Sequence, residues 1–354
     1  MNLQELRKKI DGLDKKIISL LDQRTRIALE IGRVKAKTKK GVYAPDREKE
    51  VYKKAVSLNK GILPDKTIKA IYREIMSGAL SLEKSMKVAY LGPAATFTHQ
   101  ASLKKFGSSV THVPVKSITD VFLEVERNRC DYGVVPIENS VEGAVNHTLD
   151  MFVDSDLKIC SEIRLEISHS LMAKCRMKDI KKIYSKAEVF GQCRIWLETN
   201  LPKAEVQEVS STTRAATLAA KHKNTAAIAS ILAADLYGLK TLARSIEDSS
   251  HNMTRFLIIG PDSAPGTGED KTSIMISLKD KVGALHDMLQ SFKRHGVNLT
   301  KIESRPSKKK AWEYYFFVDA LGHFEDASLK KALKSLEKQS PYLKVLGSYP
   351  RIDI

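Results

Sequence analysis

Residues 251–256 read HNMTRF and place the hydroxyl of Thr254 beside the guanidinium of Arg255. Arginine offers a fixed fork of donors that suits a carboxylate, and threonine offers one weak donor for an oxygen that is leaving. Other polar residues gather in loops. Thr96 and Thr98 follow Gly92-Pro93 in YLGPAATFTHQ, Asn139 and Ser140 follow a buried run in GVVPIENSVEGA, and Ser210-Ser211-Thr212-Thr213 precedes helical sequence. Ser, Thr and Asn are ordinary N-cap residues, so each has a purely structural reading. Several such loops in one segment are also consistent with an anion cleft, where backbone N–H groups converge. No histidine is compellingly placed; His99 and His147 read as loop or helix residues.

A second set is cationic. Leu6, Ile10, Leu13, Ile17, Leu20, Ile27, Ile31 and Val34 recur at three, four or seven residues, the stripe of one long helix over 5–40. Arg24 interrupts that stripe, and Lys35, eleven residues on, projects from nearly the same face. Each can also be a snorkelling side chain. Arg7 lies ~25 Å up the axis from Arg24 and ~100° round it, so the two share a small ligand only if Arg7 comes from a second subunit.

These residues need elements to hold them. A helix of some 35 residues spans ~50 Å, too long to bury its stripe against two short partners, so a second chain is its natural cover. Ala44-Pro45 opens a second helix through DREKEVYKKAV. Leu63-Pro64-Asp65 opens a third that buries Ile68, Ile71, Ile75, Ala79 and Leu82. From 86 to 262 the strand-like runs KVAYL, YGVVPI, KICSEIRLEISHSLMA and RFLIIG appear. They alternate with helical stretches at Phe97–Phe106 and at ITDVFLEVE, GQCRIWLET, TTRAATLAAKH and TAAIASILAADLYG. This predicts α/β structure with mostly parallel sheets in two lobes. Asp262 to Lys271, rich in Gly and Pro, reads as a linker. TSIMISL, helix 283–295, VNLTKIESR, WEYYFFVDA, helix 325–339 and YLKVLGSY then give the ferredoxin-like order βαββαβ. The domains expected are 1–85, 86–262 and 272–354.

Composition narrows the class. With 42% hydrophobic and 29% charged residues in 354, the chain reads as an ordinary soluble protein. No apolar run approaches the ~18 residues of a membrane span, and the first residues show no signal-peptide core. Cys130, Cys160, Cys175 and Cys193 are scattered without Cys-x-x-Cys, which argues against disulfides and zinc; no cofactor or metal is expected, and the expected compartment is the cytoplasm. Of the net charge of +17, residues 1–85 hold +10, from 21 Lys/Arg against 11 Asp/Glu. Without interleaved exposed aromatics or a groove-reading motif, solvated helix faces explain that charge better than nucleic acid does, and a small polyanion remains a candidate ligand.

GPAATFTHQA, VVPIENSVEGAV and NMTRF together resemble prephenate dehydratase over residues 87–260. The resemblance implies that Thr254 donates to the departing ring hydroxyl, Arg255 binds a carboxylate and Phe256 packs the ring. It also implies substrate contacts at Thr96, Asn139, Ser140 and Thr212. A free hydroxyl is too weak an acid to act alone, so Thr254 is expected to work as a hydrogen-bond donor in a water-poor site. Lys186 stands where that family commonly shows His.

The order Arg7, Arg24, Lys35, Arg47-Glu48 and Glu83 resembles the all-helical chorismate mutase. The resemblance implies carboxylate binding by Arg7, Arg24 and Arg47, and ether-oxygen contacts from Lys35 and Glu83. Glu48 would hold the ring hydroxyl. Glu83 stands where some members carry Gln, and Ala44 replaces an Asp.

Gly283-Ala284-Leu285-His286 and Glu303-Ser304-Arg305-Pro306 resemble the ACT regulatory domain of these dehydratases. That implies phenylalanine bound at a dimer interface, with Gly283, Ala284, Leu285, Asn298, Glu303 and Ser304 as effector contacts. The fold class expected is multidomain: an all-α chorismate mutase domain, a two-lobed α/β prephenate dehydratase domain and an α+β ferredoxin-like ACT domain. The expected function is conversion of chorismate to prephenate and of prephenate to phenylpyruvate, inhibited by phenylalanine, in a homodimer or higher oligomer. The alternatives are arogenate dehydratase, with the same leaving groups, and a non-catalytic amino-acid sensor; no nucleic acid or membrane partner is expected.

Overall fold

The computed structural model describes residues 2–37, 43–249, 251–278, 281–307 and 314–352. The chain divides into two compact units, one of residues up to Lys87 with Lys105–Thr111, the other of Val88–Lys104 with His112 onward.

The first unit is built on α1 (Leu3–Lys37), α2 (Pro45–Leu58) and α3 (Asp65–Glu83). Asn2 and Glu5 start α1 with a reciprocal capping box: each side chain accepts from the other's backbone N–H, at 2.9 and 3.0 Å. Pro45 starts α2, where a missing N–H costs nothing. Residues 38–40, at the end of the expected first helix, lie outside the described residues. Both α1 and α2 pack on α3, yet the apolar stripe of α1 stays open, from Leu6 at 42% exposed to Val34 at 63%. Gly107 (φ +72) turns the chain after α4 (Phe97–Phe106) so that it runs beside α3. Ser108 then donates its N–H and hydroxyl to Glu74 (2.9 and 2.8 Å), and Ser109 donates its N–H to Ser77 Oγ at 3.0 Å.

The second unit holds three sheets. The first contains β1 (Lys87–Leu91), β2 (Thr111–Val115), β3 (Tyr132–Asn139), β4 (Gly143–Ala144), β5 (Lys158–Glu166) and the late β11 (Met253–Gly260). Helices α5 (Ile118–Glu126) and α6 (Asn146–Asp154) accompany it. The second lobe contains β6 (Ser170–Ala173), β7 (Lys182–Ser185), β8 (Glu205–Glu208), β9 (Thr225–Ala229) and β10 (Lys240–Ala243). Its helices are α7 (Ala187–Gln192), α8 (Arg194–Asn200), α9 (Thr212–Lys221) and α10 (Ile231–Tyr237). The third sheet has β12 (Asp270–Ser277), β13 (Leu299–Pro306), β14 (Tyr314–Leu321) and β15 (Tyr342–Pro350), with α11 (Ala284–Arg294) and α12 (Ala327–Glu337). Its order β13-β14-β12-β15, antiparallel throughout, is the ferredoxin-like arrangement. Trp312 and Glu313, at the start of the expected third strand, lie outside the described residues.

Several sequence expectations are corrected. TAAIA, read as helix, is β9, the middle strand of the order β10-β6-β9-β7-β8. Its alanines face one apolar cluster through Ala227 and Ala229 and another through Ala226 and Ile228, so burial on both sides overrides their helix propensity. KICSEIRLEISHSLMA is two strands in different sheets, and GQCRIWLET is covered by two helices that meet at Cys193. The sheets are mixed, not mostly parallel: β1 and β3 are parallel, but β11 returns from the second lobe and inserts antiparallel between β3 and β5. Nor is 262–271 a loose linker. Strand β12 begins at Asp270, Ala264 is buried, and Asp270 accepts from the N–H groups of Thr267 and Gly268.

The third sheet is covered on both faces. Ile274, Ile276, Val318 and Ala320 meet α11 and α12, while Met275, Phe317, Leu346 and Tyr349 join the core of the first sheet with Phe152, Leu257 and Ile259. That packing is close at Gly347, where a Cβ would overlap the carbonyl oxygen of Ile159 and lie 2.7 Å from its nitrogen. Backbone cannot yield as a side-chain tip does. Gly347→Ala should therefore lower stability by about 1–3 kcal/mol, read as an earlier midpoint in urea unfolding; an unchanged midpoint would mean the two sheets are not held this tightly.

Candidate functional site

In the helical unit a cavity of ≈ 320 Å³ is lined by Arg24 and Lys35 of α1, Arg47 and Glu48 of α2, and Arg73 and Glu83 of α3. Lys105 and Phe106, from the end of α4, also line it, and Ile27, Val51 and Leu80 add apolar wall. Five cations face two carboxylates, the composition an organic dianion needs. Arg7 is not among the lining residues. Arg47 pairs with Glu50 at 2.7 Å, both well exposed, which places it at the rim. Glu48 is held firmly: Tyr43 donates its hydroxyl (2.8 Å) and Lys105 Nζ lies 2.8 Å away. Burial, then the negative charge of Glu48, push the Tyr52 hydroxyl well above its usual pKa, so it stays a donor. Glu83 lies over buried Gly32, where a Cβ would sit 2.5 Å from Glu83 Cδ; only glycine lets this carboxylate approach α1 so closely.

In the second unit Asn139 and Thr254 are cross-strand partners on β3 and β11. Asn139 Nδ2 donates to Thr254 Oγ1 at 2.8 Å and to Asn252 Oδ1 at 2.7 Å. Its Oδ1 accepts from the N–H groups of Val141 (2.9 Å) and Glu142 (3.0 Å), which fixes the amide orientation. Because the Thr254 oxygen is already an acceptor, its proton is left to donate elsewhere. The polar chain continues into the second lobe. Asn252 Nδ2 donates to Gln192 Oε1 (3.1 Å), which also accepts from His169 Nε2 (2.8 Å). Burial lowers the pKa of His169 and keeps it neutral, with its Nδ1 lone pair unpartnered among protein atoms.

The other predicted residues are more dispersed. Ser140 Oγ donates to His251 O and accepts from Met253 N–H, both at 2.9 Å. Thr96 Oγ1 donates to Leu91 O and accepts from His99 N–H, the capping arrangement for α4. Thr212 is buried in the first turn of α9, whose cap is Ser211, accepting from Arg214 N–H. The loop after Gly92-Pro93 is fixed from the second lobe: Thr213 donates to Ala94 O (3.2 Å) and Ser230 to Ala95 O (2.7 Å).

Arg255 and Phe256 do not sit as expected. Side chains alternate along a strand, so Arg255 projects from the opposite face of β11 to Thr254. Its Nε lies 2.6 Å from Glu162, NH1 2.8 Å from Asp319 and NH2 3.0 Å from the Tyr349 hydroxyl. Lys271 adds a 2.6 Å contact to Glu162, and Ser273 donates to Asp319. Burial works against the Arg255 charge, but Tyr349, Asp319 and Glu162 outweigh it and raise its pKa; burial likewise opposes the Asp319 charge, but Arg255 and Lys271 keep its pKa low. A guanidinium so engaged has no free fork for a substrate carboxylate on the Thr254 face. Phe256 is 2% exposed in the strand core, so its ring is not available to stack on a ligand.

Of the expected effector residues, Gly283 (φ +81), Ala284 and Leu285 form the start of α11, and Asn298 O accepts from Leu321 N–H. On edge strand β13, half-buried and exposed residues alternate, so exposed Ser304 and half-buried Glu303 present opposite faces. Neighbours on Glu303's face are committed to the first sheet: Lys301 pairs with Glu138 (2.9 Å) and Arg305 with Asp150 (3.1 Å).

Sequence reasoning missed Asn252, Gln192, His169, Tyr43, Gly32 and Lys105. Only Asn252 carried a signal, being inside the HNMTRF run.

The chain matches three family models in order: chorismate mutase type II over residues 6–84, prephenate dehydratase over 88–264 and the ACT domain over 272–338. It is 51% identical over 354 residues to the bifunctional chorismate mutase/prephenate dehydratase of Aquifex aeolicus (strain VF5), covering 99% of this chain and 98% of that one. The prephenate dehydratase of Arthrobacter aurescens, solved in complex with L-Phe, superposes with a TM-score of 0.70 at 36% identity, over 75% of this chain and 90% of its own. The quorum quenching acylase GqqA also reaches 0.70, at 25% identity over 75% of this chain and 98% of that one. Fold likeness alone therefore does not decide the chemistry. The match over nearly the whole length does: this chain belongs to the bifunctional chorismate mutase/prephenate dehydratases and has both enzymatic activities.

Proposed function

We propose that the two reactions are divided between residues 1–85 and 86–262, and that residues 272–354 report phenylalanine to the second. The cavity of the helical unit suits chorismate because rearrangement is unimolecular: the protein must bind a compact conformer and stabilise charge developing at the ether oxygen. Arg24 and Arg47 would hold carboxylates, Lys35 and Glu83 would meet the ether oxygen, and Glu48 would fix the ring hydroxyl. The exposed stripe of α1 supports a homodimer, in which a second copy covers the stripe and brings its Arg7 to the cavity.

At the second site the observation that carries the reading is the Asn139–Thr254 contact. Prephenate loses its ring carboxylate as carbon dioxide; the electron pair of that bond enters the ring and expels the hydroxyl as hydroxide, which a hydrogen bond stabilises as it departs and a solvent proton then converts to water. Asn139 holds the Thr254 oxygen so that its proton points to the departing oxygen. With Arg255 committed elsewhere, the N–H groups opening α4 and α9 are the donors left for the substrate carboxylates. Phenylalanine would bind beside the start of α11 and edge strand β13, in a cytoplasmic enzyme.

Measuring phenylpyruvate from chorismate and from prephenate, with and without phenylalanine, tests the whole reading; product from prephenate alone would leave the helical unit without its proposed role. Asn139→Asp presents Thr254 with two acceptors in place of a donor and draws its proton inward. Dehydratase kcat should fall by roughly two orders of magnitude, with mutase activity retained; a near-normal rate would remove the oriented hydroxyl from the mechanism. Arg7→Ala and Arg24→Ala should each cripple the mutase. Mixing the two under subunit exchange should restore part of the activity if sites are shared, and failure despite verified exchange would place each site within one chain. Ser304→Ala should raise the phenylalanine concentration needed for half-inhibition more than it changes turnover, and equal effects on both would move the effector site elsewhere.

A further inference from the structure

We infer that Lys105 is a positioning residue of the mutase site, acting through Glu48; the inference rests on the proposal that the helical cavity binds chorismate. Nothing in the family matches assigns it there, because Lys105 falls outside the mutase match at 6–84 and inside the dehydratase match at 88–264. Yet its ammonium lies 2.8 Å from Glu48 Oε2, with the two side chains only 17% and 11% exposed. A surface pair would contribute little, whereas a pair this sheltered carries a charge-assisted hydrogen bond little weakened by water.

The surroundings deliver Lys105 to one place. Phe106, the next residue, packs its ring 5.1 Å from that of Tyr43, whose hydroxyl donates to the same Glu48 oxygen. Lys105 Nζ also lies 5.7 Å from the centre of the Tyr43 ring. Immediately after, the Gly107 turn and the bonds of Ser108 and Ser109 to Glu74 and Ser77 tie the segment to α3. Glu48 is thus held from α2 by its own backbone, from just before α2 by the Tyr43 phenol, and from outside the mutase match by the Lys105 ammonium. A carboxylate with both donors on one oxygen has one geometry in which to meet a ligand hydroxyl. Without Lys105 only the neutral phenols of Tyr43 and Tyr52 oppose a swing toward the cations Arg24, Lys35 and Arg73 of the same cavity.

The test uses the full chain. Lys105→Met keeps the length of the side chain and removes its charge. Mutase kcat/KM should fall roughly tenfold, the size of one hydrogen bond to a charged group. The loss should lie mainly in KM, since the ring hydroxyl is held in ground and transition states alike. Lys105→Arg should recover most of it, and dehydratase turnover should stay within about twofold. Glu48→Gln provides the reference: it should weaken the mutase by itself, and adding Lys105→Met to it should cost no more. Full mutase activity in Lys105→Met beside a weakened Glu48→Gln overturns the inference. So does an additive double variant, or a parallel loss of dehydratase activity and melting temperature, which would make Lys105 a folding residue. An unaffected Glu48→Gln would instead sink the underlying assignment of the cavity.

Discussion

The guanidinium of Arg255 is the interaction around which the second unit is organised. It is buried with Lys271 against Glu162 and Asp319, two cations against two carboxylates, contributed by the first sheet and the third. Charges removed from water in this way hold only while every partner is present; deleting one leaves an uncompensated charge worth about 3–5 kcal/mol. The cluster therefore stabilises less than it specifies. It demands that β11, β5, β12 and β14 meet in one register, and that register places Thr254, one residue before Arg255, on the far face of β11 opposite Asn139. The hydroxyl proposed to be catalytic and the guanidinium bonded to the third sheet are neighbours on one strand, separated only by the pleat.

That arrangement gives a physical route for control. A ligand that shifts the third sheet has to move Asp319 or Tyr349, and both are bonded to Arg255. Separating these charges in low-dielectric surroundings is costly, so a displacement of β14 would act on β11 through these contacts. The helical unit works differently. It has few buried apolar residues and a long open stripe, and its charged cavity is assembled from four separate segments.

How much of this was legible in the sequence follows from which signals are periodic. The stripe of α1 and the βαββαβ order of the last domain were readable because spacing and turn residues alone encode them. The strand at TAAIA was not, since alanine favours helix and only burial on both faces makes it β9. The antiparallel entry of β11 was also hidden: its position between β3 and β5 depends on partners 87 or more residues away. Arg255 is more instructive. The motif suggested that Thr254, Arg255 and Phe256 act together on one ligand, but the period-two rule for strands already puts the middle residue on the opposite face. The structure follows the pleat. Gly32 and Lys105 carried no local signal, because their importance lies in contacts with Glu83 and Glu48.

The two sites differ in the chemistry asked of them, and their compositions follow. Rearrangement of chorismate moves no proton, so the cavity proposed for it can be crowded with cations whose task would be to hold charge already present and charge that develops. In the proposed dehydratase step the departing hydroxide needs one hydrogen bond aimed at one oxygen, so the direction of a donor matters more than the number of cations. The site proposed for it is built from neutral amides, Asn139, Asn252 and Gln192, in a chain whose directions are fixed at one end by the N–H groups of Val141 and Glu142. An amide cannot lose or gain a proton near neutral pH, so Asn139 itself holds the Thr254 oxygen without any change of charge. What makes a weakly acidic hydroxyl useful is therefore orientation, and the polar chain from β3 to the second lobe is what maintains that orientation.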